Sequence, residues 1–108
     1  MPRALDAERA VLGAALIDDG ALDAAAAIVT AADFGTDAHR RTFAAMLACR
    51  AAGEPIDLLT VAARLNLTDD MQAVPWLSRL IDGVPKLTNV SWYARRVREA
   101  SLRRSVIR

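Results

Sequence analysis

Few side chains of this chain have the type and spacing that catalysis or metal binding needs. Its single histidine, His39, and single cysteine, Cys49, have no partner in a recognisable nucleophile–base motif. Two such residues also fall short of the ligand set of a structural zinc site. We expect Cys49 to be a small buried apolar residue. His39 is expected to pack beside Phe43, with a hydrogen-bond partner from Asp33 or from the stretch around Asp57.

Two pairs of adjacent carboxylates are the next candidates, Asp18 with Asp19 and Asp69 with Asp70. General acid–base catalysis would need one member of a pair in an apolar pocket that shifts its pKa. Both pairs fall in predicted turns, where aspartate is common, so turn and cap roles are favoured. A metal held by carboxylates is the alternative, but no ligand spacing supports it.

Nucleotide-binding motifs are absent from the sequence. It contains neither a G-x-x-x-x-G-K-[ST] phosphate-binding loop nor a G-x-G-x-x-G fingerprint, and its five glycines are scattered singly. We therefore predict that this chain is not an enzyme. It should carry no catalytic, cofactor-binding or metal-ligating residues.

The C-terminal segment is the most distinctive stretch. Residues 90–108 hold six arginines and one glutamate, whereas residues 1–54 hold five basic and eight acidic residues. The candidate interaction residues are in this segment: Trp92, Arg95, Arg96, Arg98, Arg103 and Arg104. The arginines could contact phosphates, and Trp76, Trp92 and Tyr93 could stack on bases. A solvated helix face, or a junction with a downstream segment, explains the arginines equally well, and packing or interface anchoring is more usual for the aromatics.

Composition predicts the elements that must position these residues. The chain is 54% hydrophobic with only five aromatics, and alanine and leucine supply most of the remainder. Both residues are strong helix formers. We predict a single all-α domain over residues 1–108, a compact bundle of about six or seven short helices.

Local signals mark the first helices. Asp6 is a good N-cap, and residues 18–20 (Asp-Asp-Gly) should end the helix that it begins. A second helix is predicted over residues 22–29, and residues 30–33 (Thr-Ala-Ala-Asp) could then cap a short turn that ends at Phe34 and Gly35. The spacing of the first helix predicts an inward stripe formed by Leu5, Leu12, Ala15 and Leu16.

The middle of the chain carries the clearest helix. Thr36 or Asp37 should cap it, and Gly53 should end it. An extended link then leads to Asp57, the predicted cap of a helix that turns Val61 inward.

Residues 66–74 read as a loop. Pro75 suits the first turn of the following helix, which Gly83 should end. Thr88 or Asn89 should cap a last helix that runs to the end of the chain, with Val90, Tyr93, Val97 and Ser101 on its buried side.

Several segments together resemble one known family. Residues 8–16 read Glu-Arg-Ala-Val-Leu-Gly-Ala-Ala-Leu, like an E-x-x-V-L-G-x-x-L opening. Further matches follow in order: Asp33-Phe34, His39-Arg40 with Phe43, residues 53–57 (Gly-Glu-Pro-Ile-Asp) with Thr60-Val61, Trp76-Leu77 with Leu80, Val84-Pro85 with Asn89, and Tyr93-Ala94 with residues 97–99. In order and spacing, these pieces resemble the N-terminal domain of DnaB-type replicative DNA helicases.

The resemblance implies a scaffold and an assembly role. Family members are hexameric, ATP-driven ring helicases whose motor is a separate C-terminal domain. Their N-terminal domain forms a collar with neighbouring subunits, and in bacteria primase docks there. Because the chain ends at Arg108, we expect it to be the globular head only, without the helical hairpin and motor that follow in the family. ATP and magnesium would then belong only to a parent helicase.

We therefore predict a non-catalytic interaction and assembly module. Its expected partners are other helicase subunits, with primase or a helicase loader as further candidates, and any contact with DNA should be indirect or weak. The alternatives are a free-standing helical adaptor and a nucleic-acid-binding module that uses the C-terminal arginine-rich helix. A single cysteine, no signal-peptide pattern and no apolar run of the ~18 residues that span a bilayer predict a cytoplasmic protein without membrane contact.

Overall fold

The computed structural model describes residues 4–65, 72–84 and 89–107. Over those residues the chain forms helices and no strands, as predicted. The helices are α1 (Ala4–Ile17), α2 (Asp19–Ala26), α3 (Asp37–Ala51), α4 (Leu58–Arg64), α5 (Ala73–Asp82) and α6 (Val90–Ile107), with a 3-10 turn at Ala31–Asp33 between α2 and α3.

Helix α1 is the centre of the bundle, and α2, α3, α5 and α6 all pack against it. Its residues are buried on nearly every side, from Ala7 and Glu8 through the unbroken run Ala10 to Leu16. A helix that is apolar all round has to be covered all round. The predicted inward positions Leu12, Ala15 and Leu16 are confirmed. Leu5 is not inward, because it lies in the first turn and is 38% exposed.

The close packing of α1 depends on Gly13. A Cβ atom at this position would overlap the backbone carbonyl of Leu80 in α5 and lie 2.5 Å from Cγ2 of Val84. The missing side chain therefore lets α5 approach the α1 backbone directly. This contact offsets the cost of a glycine inside a helix, which is about 1 kcal/mol relative to alanine.

The predicted caps are mostly present. The side chain of Asp18 caps α2 through Gly20 N, Thr36 caps α3 through His39 N, and Asp57 caps α4 through the amides of Leu59 and Thr60. Asp6 does not cap α1, because the helix is already formed at Ala4. Instead, Asp6 pairs with Arg9 one turn later, at 3.0 Å.

Three helix boundaries differ from the prediction. Helix α2 begins at Asp19 and ends at Ala26 rather than spanning 22–29, because Asp18 starts the next helix as soon as α1 ends. Helix α3 ends at Ala51, and Gly53 (φ 72°) then reverses the chain in the left-handed region. Helix α5 begins at Ala73, so residues 73–74 of the predicted loop are helical.

Some of the remaining boundary predictions can be compared with the structure, and others fall on residues outside its described ranges. Pro75 lies in the first turn of α5, and Gly83 caps its end, as predicted. Residues 66–71 of the predicted loop and the candidate cap Thr88 lie outside the described residues. On the last helix, Val90 and Val97 are buried, whereas Tyr93 and Ser101 are half-buried.

Candidate interaction surface

The first half of α6 presents an exposed aromatic residue with a cation stacked on it. Trp92 is 41% exposed, and the guanidinium carbon of Arg96 lies 4.5 Å from its ring centroid. Arg96 also forms an ion pair with Glu99 one turn later. On the other side, the ring of Tyr93 meets Trp92 edge to face, with centroids 5.1 Å apart. The indole is therefore fixed in place while its surface remains accessible.

Three more residues continue this surface along α6. Arg95 and Arg103 are exposed and make no hydrogen bond or ion pair with a described residue, and Leu102 is 49% exposed. We call the set Trp92, Arg95, Arg96, Leu102 and Arg103 the α6 outer face. Tryptophan and arginine are the residue types most enriched at the energetic centres of protein interfaces.

A shallow cleft lies next to the α6 outer face, between α1, α5 and α6. It has a volume of about 360 Å³ and is lined by Ala10, Leu80 and Gly83, with Asp6, Arg9, Arg79 and Tyr93 around them. Tyr93 belongs to the cleft and also touches Trp92. Tyr93 therefore connects the lining of the cleft to the Trp92 ring of the outer face.

Two of the predicted interaction residues lie elsewhere on α6. Arg98 Nη1 donates to Asp33 Oδ1 at 2.9 Å, and Arg104 Nη2 donates to the backbone carbonyl of Asp33 at 2.6 Å. The hydroxyl of Ser101 donates to the same carboxylate oxygen at 2.7 Å. The structure therefore divides the predicted arginine cluster: Arg95, Arg96 and Arg103 face outward, whereas Arg98 and Arg104 bind the 3-10 turn.

Asp33 is almost completely buried, at 4% exposure. Burial alone would raise the pKa of its carboxyl, but the backbone N–H of Thr30, the hydroxyl of Ser101 and the guanidinium of Arg98 together hold the pKa below its usual value. The group is thus stabilised as a carboxylate inside the domain. Its role in this geometry is to bind α6.

A second buried carboxylate lies behind the turn. Glu8 is fully buried in α1; its Oε2 accepts from Gly35 N at 2.9 Å, and its Oε1 lies 2.7 Å from Nδ1 of His39. The prediction that His39 packs in the interior is confirmed. The predicted partner was wrong. Neither Asp33 nor the stretch around Asp57 binds the imidazole, because α1 places the Glu8 carboxylate beside it.

The other face of the imidazole is also occupied. The Trp76 ring stacks on His39 with centroids 5.6 Å apart, and the indole N–H donates to Thr42 Oγ1 at 3.1 Å. Within the described residues, every buried side-chain nitrogen and oxygen has a hydrogen-bond partner. This network joins α1, α3 and α5.

Sequence reasoning did not identify Glu8 as the partner of His39, which lies 31 residues further along the chain. The sequence did contain a signal. Glu8 is the only acidic residue between Ala7 and Leu16, in a segment whose other residues are nearly all apolar. Such a carboxylate has to be buried with a partner.

The remaining chemical candidates are occupied or buried. Asp19 and Asp23 pair with Arg50, and Cys49 is a free, buried thiol. Asp69 and Asp70 lie outside the described residues. Over residues 4–65, 72–84 and 89–107, no group of three His, Cys, Asp or Glu side chains is placed to hold a metal ion. In the same part of the chain, no helix is long and apolar enough to cross a bilayer.

Comparison with known proteins decides the family. Residues 1–99 match the model of the DnaB-like helicase N-terminal domain. The chain belongs to this family. It is 35% identical to the N-terminal domain of DnaB helicase from Mycobacterium tuberculosis, whose crystal structure superimposes with a TM-score of 0.89 over 95% of this chain and 77% of that one.

Full-length relatives match in the same region. The replicative DNA helicase DnaB of Geobacillus stearothermophilus is 44% identical over 110 residues, which cover 99% of this chain and 24% of the relative. The DnaB of Mycobacterium leprae is 35% identical over 109 residues, which cover 98% of this chain and 18% of the relative. The chain thus spans about a quarter or less of the relatives it matches. The all-α head expected from the resemblance is the fold observed.

Proposed function

We propose that this domain is the non-catalytic assembly module of a replicative DNA helicase, and that it contacts other helicase subunits through the α6 outer face. The observation that carries this proposal is the exposed Trp92–Arg96 stack on a helix whose opposite side belongs to the core. Relatives that are named replicative DNA helicases support the identity of the parent protein. ATP and magnesium would be used by a motor domain of that parent, in the cytoplasm.

The polar network of the head favours a scaffold over an enzyme. His39 is buried between Glu8 and Trp76, and Cys49 is fully buried. A general base must reach the proton that it abstracts, which an imidazole buried between a carboxylate and an indole does not do. We therefore expect the purified domain to hydrolyse no ATP. Hydrolysis that survives repeated purification would contradict the proposal.

The composition of the α6 outer face suits a protein partner. Trp92 and Leu102 offer apolar area, while Arg95 and Arg103 have no partner among the described residues. A tryptophan buried by a partner contributes both area and a fixed geometry. Another helicase subunit is the first candidate for that partner. Primase and a helicase loader are further candidates for the same face.

Sedimentation equilibrium over a wide range of protein concentrations tests the proposal. We expect weak, reversible self-association of the wild-type domain. Replacing Trp92 with alanine should raise the dissociation constant about tenfold or more, since it removes the central anchor of the face.

Leu59 provides a matched control, because it is 71% exposed on α4 and is also a large apolar residue. The Leu59→Ala variant should associate like the wild type. If Leu59→Ala weakens association and Trp92→Ala does not, the contact surface has been assigned to the wrong helix.

A further inference from the structure

Helix α6 is attached to the head in two different ways along its length. In its first half, Val90, Ala94 and Val97 are buried in the core. Beyond Val97, none of the side chains described over residues 98–105 is buried. Residues 98–105 therefore add little to the apolar core.

Polar contacts hold that second half, and they converge on one residue. Arg98, Ser101 and Arg104 are spaced three residues apart, so they follow one side of the helix over successive turns. All three donate to Asp33, the first two to Oδ1 and the third to the backbone carbonyl, at 2.6–2.9 Å. We call these three contacts the Asp33 clasp.

The receiving side of the Asp33 clasp is rigid. The amide of Thr30 donates to Oδ2 of Asp33 at 2.8 Å, and the next residue, Phe34, is fully buried with its ring 4.9 Å from that of Phe43. The carbonyl of Phe34 accepts from Arg40 at 3.0 Å, and Gly35 is bound to Glu8. The 3-10 turn is thus fixed to α1 and α3, independently of α6.

The donor residues of α6 can separate from Asp33 while the rest of the head stays folded. Arg98 and Arg104 are exposed residues, and the side chain of Arg98 is 47% exposed, so they can exchange Asp33 for water at modest desolvation cost. After they leave, Asp33 keeps its bonds to Thr30, and its Oδ1 becomes accessible to water. Releasing the clasp would remove the ion pair of Asp33, but the carboxylate would keep its bonds to Thr30 and gain water on the side that α6 had covered, so the cost is smaller than for a charge left fully buried.

We propose that residues 98–105 form an arm with two positions, docked on the head through the Asp33 clasp and released from it, and that the docked position sets the direction in which α6 leaves the head. The Asp33 clasp lies inside one chain. It holds whether or not the α6 outer face mediates self-association.

Amide hydrogen exchange on the whole 108-residue chain tests the arm. In an Arg98→Ala/Arg104→Ala variant, exchange of the amides of residues 102–105 should accelerate about tenfold, while the amides of residues 94–97 and of α1 keep their protection. Asp33→Ala should accelerate the same amides and, because it also removes the bonds to Thr30, lower the protection of the head as well. The double-arginine variant replaces only exposed side chains, so it remains informative if Asp33→Ala fails to fold.

Arg9→Ala is the control, since it breaks an exposed ion pair with Asp6 on α1 and should leave α6 unchanged. Unchanged exchange of residues 102–105 in the double variant would overturn the proposal. So would acceleration of residues 94–97 and α1 together with the arm, because α6 and the core would then be one cooperative unit.

A distance measurement tests the direction directly. Nitroxide labels at Ala51→Cys and Ser105→Cys can be attached selectively, since the native Cys49 is fully buried. Electron–electron dipolar spectroscopy should give one narrow distance in the parent protein and a broadened or second distance after Arg98→Ala/Arg104→Ala. A narrow, unshifted distance in both proteins would contradict the two-position arm.

Discussion

His39 and Glu8 join α3 to α1 through one buried contact: Nδ1 of the imidazole lies 2.7 Å from Oε1 of the carboxylate, and the two side chains are 4% and 1% exposed. The same carboxylate binds Gly35 N through its other oxygen. One acidic residue of α1 therefore fixes both the start of α3 and the segment that precedes it. His39 and Glu8, the buried ionisable pair of this chain, therefore hold its helices together.

Removing the imidazole should destabilise the head without changing its surface. We expect His39→Ala to lower the free energy of unfolding by about 1–3 kcal/mol, because Glu8 loses a partner and Trp76 loses its stacking neighbour. Chemical denaturation measures this change. Arg9→Ala, which breaks an exposed ion pair, should cost at most a few tenths of a kcal/mol.

Partner binding provides the second readout for His39. At a temperature where the variant is folded, any self-association should match that of the wild type. A His39→Ala protein with unchanged melting temperature and lost association would contradict the interior role.

The contact of α1 with α5 predicts a specific intolerance at Gly13. Gly13→Ala should destabilise the domain by about 1–3 kcal/mol, since the added methyl group would overlap the Leu80 carbonyl and force the helices apart. Gly20→Ala is the matched control: a Cβ there would meet only the Asp18 carboxylate, at 3.5 Å or more. Thermal unfolding of the two variants should therefore differ clearly, and equal melting temperatures would show that α5 does not pack as closely as described.

The carboxylate of Asp33 predicts an acid-dependent loss of stability. Its folded pKa is lowered despite burial, by the bonds from Thr30, Ser101 and Arg98, so ionised Asp33 stabilises the fold at pH values above its unfolded pKa of about 3.9. That contribution is lost as the pH falls through the lower, folded pKa. Arg104 also donates to the backbone carbonyl of this residue, and the Glu8 carboxylate binds the amide of the nearby Gly35.

Comparing Asp33→Asn with the wild type isolates this contribution. Bonds from Thr60 and Arg64 also lower the pKa values of the exposed Asp57 and Glu54, respectively, but both groups are present in both proteins. The difference in unfolding free energy between the two proteins should be constant near neutral pH and shrink below about pH 4. A difference that stays constant down to pH 2 would contradict a lowered pKa of Asp33 in the folded state.

The arginines of α6 predict only weak binding to nucleic acid. Arg98 and Arg104 are used inside the domain, and Arg96 is shared with Trp92 and Glu99. We expect little binding of labelled single- or double-stranded DNA at ~150 mM salt. Tight, salt-sensitive binding that Arg95→Ala, Arg96→Ala and Arg103→Ala abolish would favour the nucleic-acid-binding alternative.

Local features of the fold could be predicted from the sequence, because their causes are local. Thr36 and Asp57 cap helices through amides two or three residues away, and Gly83 ends α5. The family resemblance likewise follows from short segments in order. The predicted start of α2 was wrong because Asp18 has two roles: it follows the end of α1 and also caps α2.

The contacts that separate the inward-bound arginines of α6 from the outward-facing ones could not be predicted from local sequence. Arg98 lies 65 residues from Asp33, and His39 lies 31 residues from Glu8. Nothing in the local pattern of α6 separates Arg98 and Arg104 from Arg95 and Arg103. Only the packing of α6 against the 3-10 turn decides which arginines are used inside the domain.

The most direct test of the assembly role is a dilution series followed by two-dimensional ¹⁵N NMR. If the α6 outer face mediates subunit contact, the concentration-dependent shifts should fall on the backbone amides around Trp92, Arg95 and Leu102, and on the indole N–H of Trp92. The amides of α3 and α4 should not move. Shifts confined to α3 and α4, or spectra that do not depend on concentration, would contradict the proposed function of this face.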